Sequence, residues 1–250
     1  MEFFVDHAGA RLAGQTWGEG PPVLCLHAGV CDRSEWAPLA AHVPDRELIA
    51  FDLRGFGETT YPAGAFDPAG DGLAVLDHLG HDRAVVVGNS FGGLNALALA
   101  ARAPERVERL LLLAPLTPDF DPEDPEMEAF ATAEEAAIEA GDLDAAVEVN
   151  LRFWVDRSPA AAPYRDAVAA TQRRAFELQL ASEPEADFDG IDAASIQVPT
   201  LVVGGALDAE SFRAAARDLA ARIRGAAHEE LPAVGHLIPL EAPAAVAALL

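Results

Sequence analysis

The chain has 250 residues, of which 51% are hydrophobic, and it carries 41 acidic and 17 basic residues for a formal net charge of −24. This length and hydrophobic content favour one large folded domain and exclude a disordered chain. Because so negative a field repels phosphate groups and anionic lipids, we expect no nucleic-acid partner and no membrane partner.

The first half of the chain alternates predicted strands with predicted helices. Strands are predicted over residues 2–6, 12–17, 22–27, 48–52, 84–87 and 107–113. Helices are predicted after a cap at Ser34, from a cap at Asp67 through 79, and over 92–102. The first two strands form a hairpin, and continuous apolar runs such as 22–27 predict strands buried on both faces. The expected fold class is therefore α/β, with a mostly parallel, doubly wound sheet.

One segment interrupts this alternation. Between residues 115 and 199 no buried strand is predicted, and 119–125 has the acidic, proline-rich composition of an exposed linker. Helices are predicted over 126–140, 143–155 and 167–180. Strands resume at 200–203 and, more weakly, at 228–231. This pattern predicts an α/β core of residues 1–115 and 198–250, with a helical cap, 116–197, inserted between two strands.

A glycine-rich turn carries the strongest chemical signal. Gly88-Asn89-Ser90-Phe91-Gly92, followed by Gly93, lies between the strand 84–87 and the helix 92–102. A G-x-S-x-G run in that context is typical of a nucleophile elbow, where the tight turn leaves almost no room for side chains two positions before and after the serine. The serine hydroxyl is then lifted into the cleft at a helix N-terminus, which favours developing negative charge. This predicts Ser90 as a nucleophile.

With these residues the chain resembles the α/β-hydrolase family, and five further segments strengthen the resemblance. They are His27-Ala28-Gly29-Val30, Trp36, the run 52–57 (Asp-Leu-Arg-Gly-Phe-Gly), the run 204–208 ending in Asp208, and Gly235-His236-Leu237. The order Ser, Asp, His is that of the family. The resemblance covers about two thirds of the chain, on both sides of the predicted cap, and implies the α/β-hydrolase fold.

The resemblance also implies a role for each catalytic group. His236 would be the base, since imidazole titrates near neutral pH, and Asp208 would fix its tautomer. The backbone N–H groups of Phe91 and Gly29 would form the oxyanion hole. Ala28 and Val30 replace the family's usual glycine and proline. The sequence therefore leaves open whether Gly29 or Val30 donates the second N–H group.

Rival residues exist for the base and for the acid. His27 is the main alternative base, although the resemblance gives it a structural role in the segment 27–30, which we call the oxyanion loop. Asp119 follows the preceding strand, where some relatives carry the acid, but it sits in a run of acidic residues typical of a solvated surface. Asp52 is a third carboxylate, which we expect to stabilise its loop by pairing with Arg54.

For substrate binding we predict Val30, Phe153 and Trp154, with Phe176 as a further cap residue that could face the pocket. Plain packing of the cap on the core is the competing interpretation for the aromatic residues. Arg173 and Arg174 could bind a substrate carboxylate, although a solvated helix face explains them equally simply. The sequence contains no metal-ligand spacing, Walker loop or G-x-G-x-x-G run, so we expect no cofactor and no metal.

The expected function is that of a serine hydrolase acting on small to medium carboxylic esters or lactones. Three alternatives stay open: a hydrolase of carbon–carbon bonds in ring-fission products, a cofactor-free perhydrolase, and a ligand sensor with little turnover. The expected partner is a small-molecule ester or lactone, and a homodimer is compatible with the sequence. No apolar run reaches the ~18 residues of a membrane span, and residues 1–10 lack a signal-peptide pattern, so we expect a cytoplasmic protein.

Overall fold

A mostly parallel eight-stranded sheet lies at the centre of the molecule. The computed structural model describes residues 1–120 and 124–250. The strands are β1 (Glu2–His7), β2 (Ala10–Trp17), β3 (Pro22–Leu26), β4 (Glu47–Phe51), β5 (Gly64–Phe66), β6 (Ala84–Asn89), β7 (Val107–Leu113), β8 (Pro184–Ala186), β9 (Thr200–Gly205) and β10 (Ala227–Leu231). The order in the main sheet is β1-β2-β4-β3-β6-β7-β9-β10, with β2 antiparallel to both of its neighbours and the other pairs parallel. The predicted fold class is confirmed.

Helices cover both faces of this sheet. They are α1 (Ala37–Ala40), α2 (Pro68–Leu79), α3 (Phe91–Arg102), α4 (Pro125–Glu139), α5 (Leu143–Asn150), α6 (Arg165–Ala181), α7 (Glu210–Arg222), α8 (Ile238–Glu241) and α9 (Pro243–Ala248). One hydrophobic core lies between the sheet and α2, α3 and α7, and a second lies between the sheet and α1, α8 and α9. Successive residues of β3 alternate between them: Leu24 belongs to the first core, and Val23 and Cys25 to the second. Burial on both faces explains why these strands read as continuous apolar runs.

Two helix starts show how well local signals predict structure. Asp67 caps α2 as predicted, because its side chain accepts a hydrogen bond from the Ala69 N–H. The prediction that Ser34 caps the next helix is wrong. Asp32 provides the cap by accepting from the Ser34 N–H, and a 3₁₀ turn over Arg33–Trp36 precedes α1.

The segment 116–197, which we call the cap, contains α4, α5 and α6. The second helix predicted for the cap, 143–155, is divided: α5 ends at Asn150 and a single π-helical turn, Leu151–Val155, follows it. A short strand that the sequence did not predict, β8, pairs with β5 in a separate two-stranded sheet. In the described part of the cap, no strand joins the main sheet. Residues 121–123 of the predicted linker lie outside the described residues.

Among the described helices, none combines the length and the apolarity that a bilayer crossing requires.

Candidate active site

Ser90 stands alone between the last residue of β6 and the first residue of α3, in a strained conformation. Its φ of 51° and ψ of −116° lie in a region that a residue with a side chain rarely adopts. A Cβ atom at Gly88 would overlap the Gly92 carbonyl oxygen, and one at Gly92 would overlap the Leu26 carbonyl oxygen. Side chains therefore do not fit at positions 88 and 92, as the sequence indicates. The tight turn that results places Ser90 at the carboxyl end of the sheet.

His236 lies in the loop after β10 and pairs with the aspartate that follows β9. Its Nδ1 is 2.7 Å from Asp208 Oδ2, and both residues are buried, with 2% and 6% of their surface exposed. The other Asp208 oxygen accepts a hydrogen bond from the Ala209 N–H at 2.7 Å. A carboxylate at Nδ1 keeps the proton on that nitrogen, which leaves Nε2 as an acceptor. Ser90 and His236 line the same cavity.

Two aromatic rings fix the orientation of the His236 imidazole. The centroid of Trp154 is 4.3 Å away and that of Phe212 is 4.6 Å away. Trp154 is itself held by a hydrogen bond from its Nε1 to Asn150 Oδ1 at 3.2 Å. Sequence reasoning missed Phe212, and the one signal that could have found it is its position four residues after Asp208.

The alternative acid, Asp119, lies elsewhere on the surface. It pairs with Arg222 at 2.5 Å, and both side chains are substantially exposed. The alternative base, His27, is fully buried and uses both ring nitrogens: Nδ1 lies 2.8 Å from the Ala28 carbonyl oxygen, and Nε2 accepts from the Leu53 N–H at 3.0 Å. Burial lowers the pKa of His27, so the ring stays neutral and ties the oxyanion loop to the next strand end.

The predicted pair between Asp52 and Arg54 is wrong. Asp52 pairs with Arg33 and accepts from the Glu58 N–H at 2.7 Å. Arg54 instead forms a buried, two-pronged ion pair with Asp71, with both N···O distances at 2.8 Å. Both aspartates still stabilise the loop after β4, but their partners are distant in sequence.

Gly29 and Phe91, the two residues predicted to form the oxyanion hole, are neighbours in the structure. A Cβ atom at Gly29 would be 3.6 Å from the Phe91 Cβ, so these two positions are in van der Waals contact. Across residues 1–120 and 124–250, the N–H groups of Gly29, Val30 and Phe91 make no hydrogen bond to another protein atom. All three are thus available to a bound oxygen, and the choice between Gly29 and Val30 stays open.

A buried glutamate lies directly behind this pair of amides. Glu35 is 2% exposed; its Oε2 accepts from the Ala28 N–H at 2.8 Å and its Oε1 accepts from Asn89 Nδ2 at 3.2 Å. Burial raises the pKa of Glu35 to about 8, and nearby Asp32 adds to this effect. The residue links the oxyanion loop to the nucleophile elbow. The sequence analysis missed it because an acidic residue next to Trp36 in a loop has no distinctive pattern.

The cavity between the cap and the strand ends has a volume of about 730 Å³. Val30 and Trp154 line it as predicted, and so does Phe176. Phe153 is not among the described residues that line the cavity. It is buried behind Trp154 with a ring-centroid distance of 4.5 Å, and it packs against Phe130 at the same distance, so the packing interpretation holds there.

Neither of the two adjacent cap arginines reaches the cavity. Arg173 pairs with Asp144 on the exposed face of α6, and Arg174 lies 3.8 Å from Glu177. Arg54 is the one arginine among the described residues lining the cavity, and its guanidinium is occupied by Asp71.

Comparison with known proteins identifies the family. A model of the alpha/beta hydrolase family matches residues 23–249. The chain therefore belongs to the alpha/beta hydrolase family. The resemblance found in the sequence is confirmed over the core and extends through the cap.

Relatives in this family carry several activities in their names. The chain is 41% identical over 121 residues to the 2-hydroxymuconate semialdehyde hydrolase of Pseudomonas putida, a match covering 45% of this chain and 43% of that enzyme. It thus spans less than half the length of that relative. The enol-lactonase of Burkholderia xenovorans LB400 superposes with a TM-score of 0.79 at 28% identity, covering 98% and 97% of the two chains. A protein described as an N-acyl homoserine lactone degrading enzyme superposes with a TM-score of 0.80 at 29% identity, covering 98% of each.

Proposed function

We propose that this alpha/beta hydrolase is a serine hydrolase of small to medium carboxylic esters or lactones. The observation that carries the proposal is the 2.7 Å contact between Asp208 Oδ2 and Nδ1 of His236, which lines the same cavity as Ser90. A serine hydroxyl is a poor nucleophile at neutral pH and needs a base held in the correct tautomer. These three side chains, supplied by three strand ends, meet that need.

The chemistry follows from the positions of these groups. Ser90 Oγ attacks the acyl carbon while His236 Nε2 takes its proton, and Asp208 stabilises the imidazolium. The amides of Phe91 and of Gly29 or Val30 stabilise the oxyanion of the tetrahedral intermediate. His236 returns the proton to the leaving alkoxide, which departs as an alcohol and leaves an acyl-enzyme. Water, deprotonated by His236, then releases the carboxylic acid and restores Ser90.

The names of the structural neighbours support lactones as well as open-chain esters. One neighbour is called an enol-lactonase and another is described as degrading an N-acyl homoserine lactone. A pure ligand sensor would have no need for a buried base–acid pair next to a strained serine. A perhydrolase would use the same residues with peroxide in place of water, and nothing in the cavity favours it specifically.

Carbon–carbon bond hydrolysis is the second candidate, because the 2-hydroxymuconate semialdehyde hydrolase is among the relatives. Substrates of that chemistry carry a carboxylate, which normally requires a free cation in the site. In the described part of the cavity the guanidinium of Arg54 is occupied by Asp71, while Glu134 contributes a further carboxyl group. These charges favour neutral esters and lactones.

The test combines covalent labelling with hydrolysis. A fluorophosphonate probe should label the wild type and not Ser90→Ala, whose kcat for p-nitrophenyl butyrate should fall by about 10⁴- to 10⁶-fold. Ser195→Ala, at an exposed serine far along the chain, is the matched control and should label normally. Labelling that persists in Ser90→Ala would contradict the assignment. A kcat/KM at least tenfold higher for a ring-fission dienoate than for the ester, at equal pH and salt, would favour the second candidate.

A further inference from the structure

One carboxyl group lies on the otherwise apolar inward face of α4. The half-buried residues of this helix are Met127, Phe130, Glu134, Ala137 and Ile138, which recur at the three- and four-residue spacing of a single helical face. The four apolar ones pack against the hydrophobic cluster of the cap. Phe130, Glu134 and Ile138 also line the catalytic cavity. Packing does not explain a charged group at the centre of this face, because charged side chains are normally turned to solvent.

The Glu134 carboxyl group has no positive partner among the described residues. Its Oε1 accepts a hydrogen bond from Asn150 Nδ2 at 2.5 Å, and the asparagine amide is neutral. Within the same residues, Oε2 has no hydrogen-bond partner and is not among the polar atoms that are closed off from solvent. Burial raises the pKa of the Glu134 carboxyl group, which a nearby positive charge would oppose by stabilising the ionised form. An accessible carboxylate oxygen without a counter-ion favours a cation.

Asn150 places this carboxyl group close to the reacting centre. The Asn150 Oδ1 accepts a hydrogen bond from Trp154 Nε1 at 3.2 Å, and the Trp154 ring lies 4.3 Å from that of His236. Two side chains therefore join Glu134 to the proposed base. A substituent a few atoms away from the acyl carbon is then within reach of the carboxylate.

Aromatic rings border the same space. Phe130, Trp154 and Phe176 line the cavity, and the ring centroids of Phe130 and Trp154 are 5.3 Å apart. The faces of such rings attract cations, and quaternary ammonium ligands are commonly held by them. Arg54, the one arginine among the described residues lining the cavity, opposes a cation only weakly because Asp71 neutralises its charge.

We propose that Glu134 binds a cationic group of the substrate, and that the preferred substrates are esters bearing a substituted ammonium group. The accessible carboxylate attracts such a group, whereas it gains nothing from an uncharged ester. The net charge of −24 also draws cations toward the protein, although salt weakens that effect. The inference rests on the proposed function, since it names the substrate class of the same site.

The test uses two esters of nearly equal shape. Butyrylcholine has a quaternary nitrogen where 3,3-dimethylbutyl butyrate has a carbon. At equal salt the wild type should prefer butyrylcholine by about tenfold in kcat/KM, and Glu134→Gln should reduce this ratio to about twofold or less. The glutamine oxygen can still accept from Asn150 Nδ2, so the charge is lost while the contact between α4 and α5 is kept. The ratio does not depend on the fraction of active protein.

A control variant on the same helix separates a specific contact from the overall charge. Glu135 is the next residue, is exposed and does not line the cavity, so Glu135→Gln changes the net charge equally. This variant should keep the preference for butyrylcholine. An equal loss of preference in Glu135→Gln and Glu134→Gln would overturn the inference, as would a wild-type ratio near one.

Binding of a cation that has no scissile bond distinguishes failure of this inference from failure of the proposed function. Isothermal titration with tetraethylammonium chloride should give a dissociation constant about tenfold higher for Glu134→Gln than for the wild type, and an unchanged one for Glu135→Gln. That result in a protein that hydrolyses neither ester would support the cation subsite and contradict the proposed function. Hydrolysis of both esters, with equal tetraethylammonium affinity in the three proteins, would contradict the inference alone.

Discussion

Replacing Glu35 with glutamine should change how the stability of the protein depends on pH. The Glu35 carboxyl is buried, and within the described residues its recorded partners are the Ala28 N–H and the Asn89 amide, neither of which is charged. Glutamine has nearly the same shape. Its oxygen can accept from the Ala28 N–H, and its NH₂ group can donate to Asn89 Oδ1, which is unpaired within the described residues, once the Asn89 amide flips to exchange its Nδ2 and Oδ1. The substitution therefore removes the ionisation and keeps the contacts.

The magnitude follows from the pKa of Glu35, which burial raises from 4.5 to about 8. Below about pH 4.5 the carboxyl is protonated in both states, so it adds no pH dependence. As the pH rises to 8, the unfolded chain ionises and the folded protein does not, so stability is lost over this window. The change in pKa from 4.5 to about 8 corresponds to about 5 kcal/mol of unfolding free energy well above pH 8, and to about 3.4 kcal/mol at pH 7.

Urea unfolding of the wild type and Glu35→Gln across this range measures the effect. The difference in unfolding free energy should be below about 1 kcal/mol near pH 5 and should grow in favour of the glutamine variant toward pH 8. The other titrating groups cancel, because the two proteins share them. Glu19→Gln, at an exposed glutamate in the turn before β3, is the control and should give a difference that does not change with pH. A flat difference for Glu35→Gln would refute the reasoning.

Two further predictions concern the base and the cap. Asp208→Asn should lower kcat by up to ~10⁴-fold, because His236 would then adopt the wrong imidazole tautomer. Asp119→Asn should change kcat little. If steady-state kinetics show the reverse, the catalytic acid is Asp119, which follows the preceding strand. Trp154→Ala should change the ranking of p-nitrophenyl esters by chain length, because Trp154 lines the cavity. Phe153→Leu, one residue away but outside the cavity lining, should chiefly lower the thermal midpoint. A changed ester ranking in Phe153→Leu, with an unchanged ranking in Trp154→Ala, would contradict these two assignments.

The sheet and the nucleophile turn could be predicted because their causes are local. An apolar run buried on both faces predicts a parallel strand, and residues 107–113 were predicted with the bounds that β7 has. The elbow is equally local, because the glycines around Ser90 are needed to avoid overlaps within a few residues or with the adjacent strand. The resemblance to the family, through its order Ser, Asp, His, implied the contact between Asp208 and His236 that the structure has.

Ion pairs were predicted less well, because adjacency in sequence is a poor guide to partners. Asp52 and Arg54 point to different neighbours: the first meets Arg33 and the second meets Asp71. Glu35 escaped notice for a related reason. Nothing in its local sequence shows that the loop containing it is buried beneath the amides of the oxyanion hole.

The cap was predicted as helices, but its faces could not be read from periodicity. A helix of 3.6 residues per turn was expected to continue to residue 155, whereas one π turn replaces its end. The wider turn changes the angle between successive side chains. Trp154 consequently reaches the cavity and Phe153 packs behind it. The sequence analysis predicted both aromatic residues for substrate binding and could not distinguish them.

The same π turn brings a cavity-lining residue of the cap against the proposed catalytic base. Trp154 belongs to the cap, yet its ring lies 4.3 Å from that of His236, and Thr171 of the cap binds the Val30 carbonyl oxygen in the oxyanion loop. The cap therefore contacts both the proposed base and the loop proposed to bind the oxyanion. Because a misplacement of about 1 Å in such groups lowers rates strongly, cap substitutions should affect kcat as well as KM. If the proposed function is correct, substrate choice and catalytic geometry should therefore depend on the same contacts.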